Sequence, residues 1–460
     1  MHTALFAEHA LLPSGWARDL LLQWDGAGRL TGVQTGVSAP AGVARARGPV
    51  LPGMPNLHSH AFQRALSGLT EYRDQAQDNF WSWRSLMYRF AARLSPEQLE
   101  AIATWLYVQM LEAGYTSVCE FHYLHHDTDG RPYADDATLA QGLLRAAQNT
   151  GIGMTLLPVL YQSSGFGGTP PHAEQRRFIL SNEHMLRLLQ QLQPQCLAQH
   201  ARLGLAPHSL RAVPPDSLRE ALAGLAALDA SAPVHIHIAE QTAEVEACLA
   251  WSGQRPVQWL LEHAEVNAHW CLVHATHMDA GEYQQAARSG AVAGLCPTTE
   301  ANLGDGIFDF PLWRAHGGAW GVGSDSHICV DPAEDLLMLE YSQRLARRQR
   351  NVAADANQPQ VAEALWLGAL AGGAQASGRP IQGLAVGQQA DFVVLDAQHV
   401  ALQDLPPSQM LASHLFASSR SSTVASVWCA GRQRVQAGRH ALHDSAARAF
   451  TLARQQLLKD

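Results

Sequence analysis

The chain has 460 residues, of which 47% are hydrophobic and 16% charged, and its formal net charge is -9. This composition is typical of a globular protein and excludes a disordered one. The acidic balance leaves no basic footprint, so nucleic acid is not expected as a partner and a small molecule is.

Near the N-terminus, residues 20–24 and 30–33 are strand-like and flank the turn Asp25–Gly28, a pattern that predicts a hairpin. Residues 390–396 and 426–432 have the same character near the other end of the chain. Because chain termini often lie close together, we expect 1–49 and 384–460 to form one small, β-sandwich-like domain.

Between these ends, short apolar runs alternate with helix-like segments, which is typical of parallel strands joined by crossover helices. The eight candidate strands are 50–56, 116–121, 151–160, 201–208, 234–238, 270–274, 291–297 and 319–324. Eight such runs predict an α/β fold, a (β/α)8 TIM-type barrel over 50–383, with its working residues at the C-terminal ends of the strands.

Two segments between strands have a specific expectation. Residues 96–112 show helical apolar spacing, with Ser95 and Pro96 as the N-cap and the first helical position. Residues 64–90 form a long excursion rich in Trp, Tyr and Arg, which we expect to cover the mouth of the barrel.

Five polar residues lie near the ends of these apolar runs: His58, His60, His237, His274 and Asp325. Side chains two apart on a strand point the same way, so His58 and His60 can reach one ion. Three or four such ligands with an open position for water are how a catalytic metal is held. Lys459 is the only lysine of the chain, so no lysine can bridge two metals in the barrel and one ion is expected.

With these residues in this order, the chain resembles the amidohydrolase superfamily. Glu240, three residues after His237, is similar to the glutamate of its deaminase branch. Within that branch, segments 54–64, 80–84, 207–211 and 296–304 resemble the formimidoylglutamate deiminases of histidine degradation.

The resemblance implies hydrolysis of N-formimidoyl-L-glutamate to N-formyl-L-glutamate and ammonia. It implies one Zn²⁺ at His58, His60, His237 and Asp325, although imidazole also suits iron and manganese. The implied substrate contacts are Gln63, Arg84, Tyr123, His208 and Arg211. Of the implied catalytic residues, Asp325 takes the proton of the attacking water, Glu240 passes a proton to the departing nitrogen and His274 donates a hydrogen bond to the reacting atoms.

The charges of such a substrate suit these residues. A formimidoyl group is an amidine and largely cationic near neutral pH, so the carboxylates of Glu240 and Asp325 are complementary to it. The two carboxylates at the other end match the planar guanidinium groups of Arg84 and Arg211. A purine or pyrimidine would instead call for apolar stacking surfaces and amide partners.

Two alternatives stay open at the level of sequence. One keeps the chemistry and changes the substrate to a heterocycle, as in a zinc aminohydrolase of guanine, cytosine or an adenosine derivative. The other is a noncatalytic barrel used as a binding module. We expect no membrane contact, since no apolar run approaches the roughly 18 residues of a membrane helix. We also expect a cytoplasmic protein, and a homodimer because closed symmetric dimers are the commonest assembly.

Four residues near the motifs are expected to have lesser roles. His125 and His126 are expected in solvent on a loop, His327 behind the metal ligands, and Cys296 in packing rather than as a nucleophile.

Overall fold

The computed structural model describes residues 3–72, 80–418 and 422–459, and the side chains of residues 80–82 lie outside the description. The strands are β1 (Ala4–Leu12), β2 (Gly15–Trp24), β3 (Leu30–Gln34), β4 (Ala44–Arg45), β5 (Val50–Pro52), β6 (Met54–Ser59), β7 (Tyr115–His122), β8 (Gly153–Leu160), β9 (Arg202–Leu203), β10 (Ala206–Pro207), β11 (Val234–Ile238), β12 (Trp270–His274), β13 (Val292–Leu295), β14 (Ala319–Val322), β15 (Phe392–Leu395), β16 (Val424–Cys429), β17 (Arg432–Gln436) and β18 (Arg439–His440).

The helices are α1 (Phe80–Ala91), α2 (Pro96–Ala113), α3 (Thr138–Thr150), α4 (Asn182–Ala198), α5 (Pro215–Leu228), α6 (Thr242–Ser252), α7 (Pro256–His263), α8 (Ala280–Ser289), α9 (Pro297–Leu303), α10 (Phe310–Ala315), α11 (Pro332–Arg347), α12 (Val361–Ser377), α13 (Pro407–Phe416) and α14 (His443–Lys459). Short 3-10 helices span Ala61–Leu66, Phe166–Gly168 and Ala173–Gln175. Among the helices described, none is both long and apolar enough to cross a membrane.

Eight strand positions form the parallel barrel that the sequence predicts. One sheet runs through β6, β7, β8 and the β9–β10 pair, and a second runs from β11 to β14. Parallel bridges join the two sheets on both sides, between Leu205 and Val234 and between Ser59 and Asp325. Every residue of β7, β11 and β12 is buried, which explains why these strands are nearly continuous apolar runs in the sequence.

The strand boundaries differ from the prediction at two glycines. The first predicted strand is divided at Gly53, where a Cβ atom would lie 2.3 Å from the Thr116 side chain. Its first part, β5, pairs with β1 and β15 of the sheet of both chain ends, and β6 enters the barrel. The fourth predicted strand is broken at Gly204, where a Cβ atom would lie 2.4 Å from the carbonyl oxygen of Pro233. At both positions the neighbouring atoms leave no room for a Cβ atom, so glycine is required.

The predicted helix after the first barrel strand is confirmed as α2. The Ser95 side chain accepts a hydrogen bond from the Gln98 backbone N–H, and the Gln98 side chain accepts one from the Ser95 N–H. This capping box, followed by Pro96, fixes the start of the helix. Helix α14 packs along α2, so the C-terminal end of the chain lies on the barrel wall.

Strands from both chain ends form one nine-stranded sheet. This sheet corresponds to the small β-sandwich-like domain that the sequence predicts. Its order is β18-β17-β16-β15-β5-β1-β2-β3, with β4 beside β1. The predicted hairpin is the antiparallel pair of β2 and β3. Trp24, Phe392 and Trp428 pack with ring centroids 5.4–5.9 Å apart, in an apolar cluster separate from the barrel core. The domain boundaries at 49/50 and 383/384 stay a prediction.

Candidate active site

The five polar residues singled out in the sequence lie together at the C-terminal end of the barrel. His58 is the next-to-last residue of β6, and His60 directly follows that strand. His237 is in β11. His274 ends β12, and Asp325 follows β14. Because parallel strands end on the same side of a barrel, residues more than 260 positions apart in sequence meet at one point.

Three imidazoles converge as metal ligands do. Nε2 of His58 lies 3.1 Å from Nε2 of His60 and 3.0 Å from Nε2 of His237. If each of these Nε2 atoms carries a lone pair and no hydrogen, none of them can donate a hydrogen bond to another. One cation between them can accept all three lone pairs. Zinc with nitrogen ligands at about 2.0–2.1 Å in a tetrahedral arrangement separates those nitrogens by about 3.4 Å, close to the distances here.

The Asp325 carboxylate lies beside these imidazoles. Its Oδ1 atom lies 3.5 Å from Nε2 of His58 and 3.3 Å from Nε2 of His60. Two neutral nitrogens do not compensate the charge of a buried carboxylate at this distance. A cation bound by the nitrogens and the carboxylate together does. The donor set of three imidazoles and one carboxylate therefore fits a single divalent ion.

The surrounding protein keeps these imidazoles neutral, as metal binding requires. Burial lowers the pKa of His60 to about 3, and burial, with the neighbouring His60 and His274, lowers the pKa of His58 well below its usual value. Nδ1 of His60 donates to the carbonyl oxygen of Phe121 over 2.9 Å, which fixes the tautomer and leaves Nε2 free to bind an ion.

A second group of titratable residues lies beside the ligands. Nε2 of His274 is 3.8 Å from Oε1 of Glu240 and 3.9 Å from Oδ2 of Asp325, and its Nδ1 is 3.3 Å from Oε1 of Glu300. Burial alone would lower the pKa of His274, but these three carboxylates raise it to about 10. Helix α6 begins only at Thr242, so Glu240 lies before it and faces the cavity.

The backbone of this region is strained. Five residues have φ values between 44° and 65°, in the left-handed region that residues other than glycine rarely adopt: Ala239, His274, Ala275, Asp325 and His327. All of them lie at the end of a barrel strand or within five residues after it, where the chain turns sharply. Strain of this kind, on the order of 1–3 kcal/mol per residue, is concentrated at functional sites.

A cavity opens next to these residues. All five predicted substrate contacts line it: Gln63, Arg84, Tyr123, His208 and Arg211. Gln63 donates from Nε2 to the Tyr123 hydroxyl over 2.8 Å, and Arg211 is only 9% exposed. The structure thus brings the two arginines to the same cavity as Glu240.

Several lining residues were missed by the sequence prediction: Trp83, Met87, Tyr88, Tyr161, Phe178 and Leu303. Trp83, Met87 and Tyr88 belong to α1, so part of the excursion predicted over 64–90 does lie at the barrel mouth. Residues 73–79 of that excursion, and the side chains of Phe80, Trp81 and Ser82 from the predicted motif, lie outside the described residues. Tyr88 follows Arg84 by four positions, a spacing that could have indicated a shared helix face.

The prediction that His125 and His126 lie in solvent is wrong. Both are buried, and their Nε2 atoms donate to the carbonyl oxygens of Val159 over 2.9 Å and Ile179 over 2.8 Å. They hold the loop after β7 onto neighbouring backbone. The polar composition of that loop gives no sign of these tertiary partners.

His327 lies directly behind the ligands. Its Nε2 accepts the backbone N–H of His60 over 3.2 Å, and its Nδ1 donates to Ser324 Oγ over 2.9 Å. Cys296 is fully buried, and burial raises the pKa of its thiol.

Comparisons with known proteins agree with this architecture. The model of the Amidohydrolase family matches residues 50–434, and the model described as "Formimidoylglutamate deiminase HutF, N-terminal domain" matches residues 2–46. A crystal structure of an amidohydrolase from Brucella melitensis is 48% identical, with a TM-score of 0.94 and 100% of each chain covered.

Two curated proteins from Pseudomonas aeruginosa are also similar. A formimidoylglutamate deiminase is 53% identical over 456 residues, which cover 99% of this chain and 100% of the relative. An 8-oxoguanine deaminase is 27% identical over 348 residues, which cover 75% of this chain and 74% of the relative. This chain belongs to the amidohydrolase family and, within it, to the formimidoylglutamate deiminases.

Proposed function

We propose that this protein hydrolyses N-formimidoyl-L-glutamate to N-formyl-L-glutamate and ammonia, a step of histidine degradation. The observation that carries the proposal is the pairing of two arginines with a buried carboxylate in one cavity beside a set of metal ligands. Arg84 and Arg211 suit the two carboxylates of the substrate, and Glu240 suits its cationic amidine. Family membership and the relative at 53% identity support the same substrate.

His58, His60, His237 and Asp325 would hold one divalent ion, for which we propose zinc. Such an ion would lower the pKa of the water that it binds to about 7 and so would supply a hydroxide nucleophile at neutral pH. Imidazole and carboxylate ligands with an open position are the donor set of catalytic zinc sites.

The residues around the ion have complementary tasks in the reaction. Oδ2 of Asp325 points toward His274 while Oδ1 faces the histidine ligands, so Asp325 can take up the proton of the attacking water. The water oxygen adds to the formimidoyl carbon, and the Glu240 carboxylate takes the remaining proton of that oxygen and passes it to the terminal nitrogen. The bond from that carbon to the terminal nitrogen then breaks, ammonia leaves, and the carbon keeps its oxygen as the formyl group.

His274 is the third group at the reacting atoms. Its Nδ1 is held by Glu300, so its Nε2–H is directed between Glu240 and Asp325. From there it donates a hydrogen bond to the oxygen that adds to the carbon. General acid and base groups placed in this way contribute typically about 10² to 10⁴ in rate.

The alternative substrate class is a heterocycle, as in the 8-oxoguanine deaminase that is 27% identical. The aromatic residues Trp83, Tyr88 and Phe178 in the cavity wall could stack on a ring, but two arginines would then face an uncharged ligand. Planar guanidinium groups match carboxylates bidentately, so a cavity lined by two arginines favours the acidic substrate.

The test is an ammonia-release assay of the purified protein on N-formimidoyl-L-glutamate, guanine, cytosine, 8-oxoguanine and adenosine in parallel. We expect turnover of formimidoylglutamate alone. Turnover of a heterocycle without turnover of formimidoylglutamate would refute the proposal. A closed homodimer stays a prediction, and light scattering of the protein eluting from a sizing column would measure it.

A further inference from the structure

Three polar side chains belong to one wall of the substrate cavity and a fourth is buried beside them; three of these four are outside the set that the sequence predicts. Arg84 and Tyr88 are four residues apart on α1 and so share a face. Tyr161 directly follows β8, and Gln175 ends the short helix Ala173–Gln175. The two tyrosines and the arginine line the cavity, and Gln175 is fully buried beside them.

The orientation of the Gln175 amide is fixed by the backbone. The N–H of His172 lies 2.7 Å from Oε1 of Gln175. A backbone N–H can only donate, so the oxygen of the amide must be at this position and the nitrogen at the other. Nε2 of Gln175 therefore faces the tyrosines and can only donate to them.

Both tyrosine hydroxyls receive two hydrogen bonds. The Tyr161 hydroxyl accepts from Gln175 Nε2 over 2.6 Å and from Arg84 Nη2 over 3.4 Å. The Tyr88 hydroxyl accepts from Arg84 Nε over 2.5 Å and from Gln175 Nε2 over 3.3 Å. A phenol has two acceptor lone pairs and one O–H donor. With both lone pairs taken by groups that can only donate, each hydroxyl has only its hydrogen left to offer.

We propose that Tyr88 and Tyr161 donate their O–H groups to a carboxylate of the substrate bound beside Arg84, and that Gln175 is the positioning residue that sets this direction. This inference rests on the proposed function and deepens it. The wall presents one guanidinium charge and two aligned O–H dipoles, an arrangement complementary to a carboxylate. A substrate with a neutral tail would offer the two O–H groups no charged acceptor, so the wall selects for the acidic tail.

The central test is Gln175→Glu, which keeps the shape of the side chain and replaces the donor with an acceptor. The new carboxylate would take both O–H groups for itself, so the tyrosines could no longer donate to substrate. We expect KM for N-formimidoyl-L-glutamate to rise by at least about 10-fold, while kcat changes by less than about 3-fold. Tyr161→Phe and Tyr88→Phe each remove one donor and should raise KM by about 10-fold.

Three controls separate this mechanism from a structural defect or from added charge. Gln175→Met removes the amide donor without adding a charge and lets the hydroxyls rotate, so its effect on KM should be smaller than that of Gln175→Glu. Formamidine has the reacting group without carboxylates, and its kcat/KM should be the same for all variants and the wild type. Tyr341→Phe removes a hydroxyl at the protein surface and should change nothing.

The outcomes distinguish this inference from the proposed function. Wild-type protein that fails to turn over N-formimidoyl-L-glutamate would refute both. Wild-type turnover with KM unchanged within twofold in Gln175→Glu, Tyr88→Phe and Tyr161→Phe would overturn the inference alone. An equal loss of formamidine hydrolysis in these variants would also overturn it, since the wall would then support the reacting centre instead of the tail.

Discussion

The carboxylate of Glu300 connects His274 to the backbone of the neighbouring strand. Its Oε1 atom lies 3.3 Å from Nδ1 of His274 and accepts the N–H of Cys296 over 2.9 Å. Glu300 is buried in α9 and does not line the substrate cavity. It therefore acts on the reaction only through the ring of His274, whose orientation and charge it supports.

Glu300→Gln should lower kcat without removing the metal. The amide keeps the shape of the side chain, but it has no negative charge to stabilise the imidazolium of His274. We expect kcat to fall by about 10- to 100-fold, as for other residues that orient a reacting histidine. Metal content, measured by mass spectrometry of the purified protein, should equal that of the wild type. A variant that loses metal and activity together would show instead that Glu300 supports the ligands.

Removing the metal should abolish activity and lower stability together. Four buried ligands at 3.0–3.5 Å from one another are poorly satisfied without a cation between them. We expect chelator-treated protein to have no ammonia release and a lower melting temperature. A ligand present at about 1,000 times its Kd contributes about 4 kcal/mol to stability. Zn²⁺ should restore both properties, and full activity after metal depletion would contradict the site.

Elemental analysis of protein that was purified without added metal salts distinguishes zinc from iron and manganese. Zinc is expected at one ion per chain. Iron or manganese at that ratio, with activity restored by the same ion and not by Zn²⁺, would overturn the zinc assignment while leaving the ligand set intact.

Substitution of either cavity arginine should damage substrate affinity far more than metal content. Arg84→Ala and Arg211→Ala each remove a charged partner of a substrate carboxylate. The loss in kcat/KM should be about 30- to 1,000-fold, equivalent to about 2–4 kcal/mol. Arg219→Ala, at an exposed position of α5, is the matched control and should leave the kinetics unchanged. Equal kinetics for Arg84→Ala, Arg211→Ala and the control would exclude a role in binding the tail.

The sequence could predict the barrel and the ligands because the two are encoded together. Strands such as β11 and β12 are apolar runs buried on both faces, and the proposed ligand His237 and the proposed catalytic residue His274 lie near their C-terminal ends. The cavity wall has no such local code. Tyr161, Phe178 and Gln175 come from loops whose mutual position depends on tertiary hydrogen bonds. For the same reason His125 was expected in solvent, although the carbonyl oxygen of Val159 accepts its Nε2–H.

Stability should depend on pH through Asp335, a carboxylate buried in α11. Burial raises its pKa to about 7, although hydrogen bonds from Tyr115 and Thr298 oppose the change. Its contribution to stability is thus fully present below the unfolded pKa, near 4, and is lost as the pH rises through about 7. The loss is on the order of 2–4 kcal/mol at about 1.4 kcal/mol per pKa unit.

Asp335→Asn removes this titration and tests its effect. Urea unfolding of both proteins between pH 5 and pH 8 should show the wild type losing stability with rising pH relative to the variant. A constant difference between the two proteins over this range would contradict a raised pKa for Asp335.

Gly323→Ala should weaken metal binding although it changes no ligand. Gly323 lies two residues before Asp325, and a Cβ atom there would lie 2.6 Å from the His58 backbone nitrogen and 2.9 Å from its carbonyl oxygen. Backbone atoms cannot yield as a flexible side chain can, so the methyl group must push the first barrel strand away from the last. Because His58 contacts His60, His237 and Asp325, we expect a metal affinity at least about 10-fold lower in a chelator competition. Gly26→Ala is the matched control, because a Cβ atom there would meet no atom within 4 Å and the φ angle of Gly26 is not in the left-handed region. Unchanged affinity in Gly323→Ala would mean that the two strands can separate without moving the ligands.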